Sequence, residues 1–164
     1  MLDQLTSIDA LPATTRVWIY QSSRPFTIEE TEQVRDHLQR FVSQWVSHNR
    51  ALRAAGDVLH NRFLILMVDE SQADASGCSI DASVHFLKGL QAEFGVDLFD
   101  RMRFSYEDAD GQVHTLSRDD FAKAYTEGTI QDNTIVFDTL VDQKGAFDKQ
   151  FRKPLKDSWH ARMV

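Results

Sequence analysis

The sequence predicts an α+β fold, or an α/β fold on a mixed sheet: one compact domain with a central sheet and about three main helices. Three observations predict it. The run Phe63-Leu-Ile-Leu-Met-Val68 is apolar at every position, as in a strand covered on both faces. Apolar stripes of helical period alternate along the chain with β-branched and aromatic runs. Asp110-Gly111 lies between two extended runs and signals a hairpin, which a purely parallel sheet does not contain. The chain has 164 residues, 42% of them hydrophobic, so a single core can bury roughly 70% of the unfolded surface.

Residues 1–15 are polar and lack periodicity, so they read as an N-terminal arm preceding a domain over 16–164. Arg16-Val-Trp-Ile-Tyr-Gln21 reads as the first strand. Thr27-Ile-Glu-Glu30 is a capping box that opens the first helix. Behind it Val34, Leu38, Phe41, Val42 and Trp45 form one stripe on a helix of about 20 residues, and His48-Asn49 mark its end. Gly56 to Asp69 reads as extended, and a polar loop from Glu70 to Gly77 follows. A second helix is expected over 80–94, with Ser83, Leu87, Leu90 and Phe94 on one face and Gly95 just past its end. Ser117 caps a short third helix, Arg118 to Thr126, which Gly128 stops, and Thr134 to Phe137 reads as a late strand. Near the C-terminus Phe147, Phe151, Pro154, Leu155 and Trp159 approach an i, i+4, i+8 series. The series suggests a terminal helix or arm packed on the domain, or an aromatic anchor for a protein partner.

Charge and motifs exclude several functions. The net charge is −7, and the basic clusters Arg101/Arg103 and Arg152/Lys153/Lys156 have Asp100 and Asp157 beside them, so no nucleic-acid partner is expected. The longest apolar run is six residues, against the ~20 that span a bilayer, and the N-terminus has no signal-peptide pattern. With a single cysteine as well, a cytoplasmic location is expected, with no membrane partner. There is no G-x-x-x-x-G-K-[ST] phosphate loop, no G-x-G-x-x-G turn and no G-x-S-x-G elbow. No two histidines lie within five residues of each other, so no zinc site and no cofactor is implied.

The segment Met67 to Asp81 carries the candidate site, because it joins the end of the buried strand to the start of a helix. In open α/β sheets ligands collect at such junctions, where free amides and the helix dipole favour anions. Ser76, Gly77, Cys78, Ser79 and Asp81 are therefore the candidate contacts for a small anionic ligand. Cys78 just before the helix is a candidate nucleophile, with Asp69 and His85 as further catalytic candidates, although His85 lies about two turns along the helix. Asp69, Glu70, Asp74 and Asp81 offer oxygens to a divalent metal. A bland reading competes with all of these: a loop that caps the helix and docks it on the sheet. Glu107-Asp-Ala-Asp-Gly111 faintly echoes a calcium loop but reads as the hairpin turn.

Several segments carry a resemblance: V-W-I-Y-Q-S (17–22), N-R-F-L-I-L-M-V-D-E-S-Q-A (61–73), A-S-G-C-S-I-D (75–81), D-L-F-D-R-M (97–102), T-I-V-F (134–137) and S-W-H (158–160). Over about residues 16–162 the chain resembles an uncharacterised family of small bacterial proteins often labelled "ABC transporter ATPase". That resemblance implies no catalytic residue, and the missing phosphate loop argues against ATPase activity. Residues 112–141, with Thr115 to Phe121, Glu127-Gly-Thr-Ile130 and Asn133-Thr-Ile-Val136, also resemble the helix-and-strand half of GYF-type adaptor domains. The aromatic peptide-binding motif of those domains is not evident.

Two functions remain. One is a non-catalytic module that binds a protein or a ligand, and the absence of a recognisable catalytic constellation favours it. The other is a small enzyme using the 69–81 loop, with Cys78 as nucleophile or with a carboxylate-bound metal. The enzyme predicts a pocket where Asp69, Cys78 and a distant His or Arg converge, whereas the module predicts an exposed apolar patch and a loop that only caps.

Overall fold

Strand β1 (Arg16–Gln21) opens the domain in a computed structural model that describes residues 8–164. Helix α1 (Ile28–Gln44) starts as its capping box dictates. Thr27 Oγ1 accepts from the Glu30 N–H at 3.1 Å, and Glu30 Oε1 accepts from the Thr27 N–H at 3.0 Å. Val34, Leu38 and Val42 turn inward from its stripe. The helix stops at Gln44, earlier than the sequence suggests. His48 and Asn49, at φ 52° and 64°, form the turn of a small hairpin between β2 (Val46–Ser47) and β3 (Arg50–Ala51). Two consecutive left-handed residues suit a two-residue hairpin turn, and Asn tolerates that region better than most residues.

The stretch read as continuously extended is a second hairpin, β4 (Arg53–Leu59) and β5 (Phe63–Asp69), broken at His60-Asn61 by the same pair of positive φ values. The sheet order is β1-β5-β4, and β5 is antiparallel to both neighbours. All seven residues of β5 are buried, as its unbroken hydrophobicity predicts. Leu64, Leu66 and Val68 pack with Val34 and Leu38 of α1 and with Leu87 and Leu90 of the second long helix, α2 (Gly77–Phe94). Phe63, Ile65 and Met67 face Phe137, Phe151 and Leu11 on the other side. Gly56 lets α1 lie close, since a Cβ there would meet Ile65 O at 3.3 Å and Leu38 Cβ at 3.5 Å. Gly95 ends α2 at φ 62°, with its N–H donating to Gln91 O.

The second half is β6 (Arg103–Glu107), β7 (Val113–Ser117), α3 (Arg118–Thr126), β8 (Ile135–Phe137), a short α4 (Lys144–Gln150) and β9 (Arg152–Pro154). Its sheet runs β7-β6-β8-β9, with Asp110-Gly111 in the turn before β7 and the Ser117 side chain capping α3. Phe104, Phe121, Ile130, Val136 and Leu155 fill its core. Among the described residues every strand pairing is antiparallel, so the chain is an α+β domain. The C-terminal aromatic series is not one helix. Arg152 to Pro154 pair with β8, and Leu155 and Trp159 fall in 3₁₀ turns beyond. Pro154 has no N–H to continue a helix. Phe151 and Leu155 are buried, and the Trp159 indole N–H donates to Asp138 Oδ1 at 2.8 Å, so the series packs inward.

A partly buried polar relay joins the two sheets. Gln21 Nε2 donates to Arg103 O (3.0 Å), Ser105 Oγ donates to Gln21 Oε1 (2.6 Å) and contacts Thr115 Oγ1 (2.7 Å), which accepts from Arg62 Nη1 (3.0 Å). Of the segment read as an arm, residues 1–7 lie outside the described residues. The rest docks: Leu11 is buried, and the Lys144 N–H donates to Thr15 O at 2.8 Å.

Candidate functional site

The acidic side chains at the end of β5 are tied into the loop. Asp69 is 2% exposed; its Oδ2 accepts from Arg53 Nη1 at 2.9 Å and its Oδ1 accepts from the Ser71 N–H at 3.1 Å. The Ser71 N–H and, after the opposing effect of burial, the Arg53 guanidinium hold its carboxyl below the usual range. Glu70 Oε2 accepts from the Ala75 N–H at 2.9 Å and lies 3.9 Å from Arg16 Nη1. Both acids close the loop, and Asp69 is not at a surface where it can act on a substrate. Among the described residues, no group of three or more His, Cys, Asp or Glu is placed to hold a metal ion.

Helix α2 begins at Gly77, three residues before the sequence expectation. Ser76 is its N-cap: Ser76 Oγ accepts from the Ser79 N–H (3.2 Å), and Ser79 Oγ accepts from the Ser76 N–H (2.6 Å). Ser79 replaces the usual Glu or Gln of a capping box, and that is why the start is hard to see in the sequence. Cys78 is therefore in the first turn rather than ahead of the helix, and it is exposed. Ser79 is buried, and its carbonyl accepts from the Trp45 indole N–H at 2.8 Å. That bond fastens the end of α1 to the start of α2.

Around this junction lie two hollows. The first, of about 480 Å³, has Phe41 and Trp45 from the end of α1, Val46, His48 and Asn49 from the small hairpin, and Ser76, Cys78, Ser79 and Ala82 from the start of α2. The second, of about 430 Å³, opens between Ser47, His48 and Arg50 of the hairpin and the loop from Glu70 to Ser76. His48 and Ser76 line both, so the hollows adjoin. Both volumes fall within the range of small-molecule sites.

The structure thus brings Ser76, Cys78 and Ser79 to one hollow and leaves the other candidates outside it. Gly77, Asp81 and His85 are exposed and line neither hollow, and Asp69 is buried in its ion pair. Among the described residues all strand pairings are antiparallel and none forms a crevice at the carboxyl ends of parallel strands; the hairpin builds the site instead. The sequence reading missed that hairpin, which supplies His48, Asn49, Ser47 and Arg50. Its one local signal was a His-Asn pair fit for a left-handed turn.

Fold and site define an α+β domain with a divided cleft where a helix start meets a tight hairpin. Among the described residues no helix is long and apolar enough to cross a membrane. Compared with known proteins, the chain matches no family model, no curated protein and no solved structure.

Proposed function

We propose that this protein is a binding module that takes a small ligand in the divided cleft and performs no covalent chemistry on it. One observation carries the reading: two adjoining hollows share His48 and Ser76 and differ in character. Phe41, Trp45, Val46 and Ala82 give the first an apolar wall, whereas Ser47, Arg50, Ser71, Gln72 and Asp74 make the second polar. Such a cleft suits a ligand with an apolar body and a polar end. The loop carboxylates support a binding role, because they already serve the loop itself. The inward packing of Phe151 and Leu155 favours a ligand over a protein docked on the C-terminal aromatics. A cytoplasmic setting fits the single unbridged cysteine, and the net charge of −7 fits the lack of a nucleic-acid partner.

The test is an amide NMR titration of the full chain with benzyl alcohol. Saturable shifts at Gln44, the Trp45 indole, Cys78 and Ala82 are expected, and they should vanish in Ala82→Trp, which fills the first hollow from an exposed helix position. Shifts scattered over the surface, or unchanged in Ala82→Trp, refute the reading.

A second reading is favoured by one specific observation: Cys78 and His48 line the same hollow. On that reading His48 takes the thiol proton, the thiolate adds to an activated carbon–carbon double bond of the ligand, whose π bond breaks, and the proton passes from His48 to the adjacent carbon. Alkylation of Cys78 by iodoacetamide distinguishes the two. Binding alone predicts the same rate in wild type and His48→Ala. A rate in the wild type that His48→Ala lowers by about tenfold or more supports the enzyme.

A further inference from the structure

We propose that a third hollow, at one end of the second sheet, is a seat for a primary ammonium group, and that the Tyr106 hydroxyl accepts a hydrogen bond from it. This hollow, of about 550 Å³, opens between the end of β6 with its turn into β7 and the 129–135 loop. It shares no lining residue with the paired hollows, so the inference stands apart from the reading of the cleft. Tyr106 is 8% exposed, lines this hollow, and among the described residues its hydroxyl has no hydrogen-bond partner. The unpaired hydroxyls of Thr15 and Ser47 are sealed from solvent, whereas that of Tyr106 keeps open surface. A phenol buried this deeply normally finds a partner, so an open, unpartnered one on the wall of a hollow points to a group that enters there.

Both walls are braced without that hydroxyl. The His114 ring stacks on Tyr106 with centroids 5.1 Å apart, and its Nε2 lies 2.7 Å from Asp108 Oδ2. Asp108 Oδ1 in turn accepts from the Asp110 and Gln112 N–H groups, each at 2.9 Å. Across the hollow Thr134 Oγ1 accepts from the Gln131 N–H at 2.8 Å, and the Asn133 side-chain amide is free among the described residues. The charges identify the ligand. Glu107 and Asp108 line the hollow, and no Lys or Arg does. Arg152 donates to Glu107 Oε2 and leaves Oε1 without a partner among the described residues. Burial, and behind it the Asp108 charge, push the Tyr106 phenol above its ordinary pKa, so the field of that carboxylate reaches the hydroxyl. Such a field opposes an anion and favours a cation. The free groups agree, since the phenol oxygen and the Asn133 carbonyl both accept from N–H donors, and bonds from a charged donor are the stronger kind. A primary ammonium, on a lysine side chain or a small free amine, brings that charge and those donors in a compact head.

The experiment titrates the full chain with butylammonium chloride, followed by amide NMR, with butanol and sodium butyrate as the neutral and anionic counterparts. Saturable shifts at Tyr106, His114, Thr129 and Asn133 are expected with butylammonium, about tenfold weaker in Tyr106→Phe and weaker in Asp108→Asn. Tyr106→Phe should melt no lower than wild type, because the hydroxyl has no partner in the fold, and Asp108→Asn keeps the oxygen that closes the turn. Titration with Nα-acetyl-lysine methylamide separates the two sources. Affinity at or above that of butylammonium assigns the seat to a lysine side chain, lower affinity assigns it to a small free amine, and both outcomes uphold it. No saturable shift with butylammonium, equal affinity for butanol or butyrate, or equal affinity in wild type and Tyr106→Phe overturns it.

Discussion

Acidification should destabilise this protein, and one distinct part of the loss should come from a single side chain, His160. The residue is 1% exposed, stacked on Trp159 with centroids 3.8 Å apart and enclosed by Phe104 and Phe121. Its Nδ1 lies 2.6 Å from Ser158 Oγ. Burial disfavours the imidazolium and, with a smaller opposing pull from the Asp138 carboxylate, pushes the folded pKa from 6.5 down to about 4. The Lys153 ammonium acts in the same direction as burial. Between those two values the unfolded chain binds the proton and the folded chain does not. Stability is therefore intact above about pH 6.5 and falls as pH drops towards about 4, where this contribution ends. At 1.36 kcal/mol per pKa unit the loss is about 3 kcal/mol. Urea unfolding of wild type and His160→Gln at closely spaced pH values from 7 to 4 isolates it, since the carboxylates titrate in both proteins. The wild type should lose about 3 kcal/mol more than the variant over that window. Parallel stability curves, or a His160 NMR titration near 6.5 in the folded protein, refute the reasoning.

Other outcomes follow from contacts already described. Trp45→Ala should destabilise by about 3–5 kcal/mol in urea unfolding, because the indole is buried between Trp18 and Phe41. Trp45→Phe should cost about 1–3 kcal/mol by leaving the Ser79 carbonyl unpaired. Lys153→Met should cost about 3–5 kcal/mol, measured the same way, since it strands the Asp138 carboxylate that Lys153 meets at 2.8 Å with both side chains largely buried. In the cleft, benzyl alcohol binding should be lost in Ala82→Trp, and iodoacetamide should alkylate the exposed Cys78 at the same rate with or without the His48 imidazole.

What the sequence determined is what neighbours along the chain determine. Thr27 with Glu30, Ser117 at its helix start and Gly95 past a helix end each act within a few residues of themselves, so composition and spacing suffice to place them. The unbroken hydrophobicity of 63–68 likewise announces a strand covered on both faces, although not by what. Even local signals fail where the residue is atypical: Ser79 in place of Glu hides the start of α2, and His48-Asn49 and His60-Asn61 turn without glycine. Tertiary structure alone decided the site. That Asp69 meets Arg53 depends on the antiparallel register of β4 on β5. That His48 and Cys78 line one hollow depends on α1 ending early, and that Ser47 is buried without a partner depends on how the small hairpin docks beside the loop. Burial and charge pairing of this kind are set by residues far apart in sequence, and no local pattern encodes which of them meet.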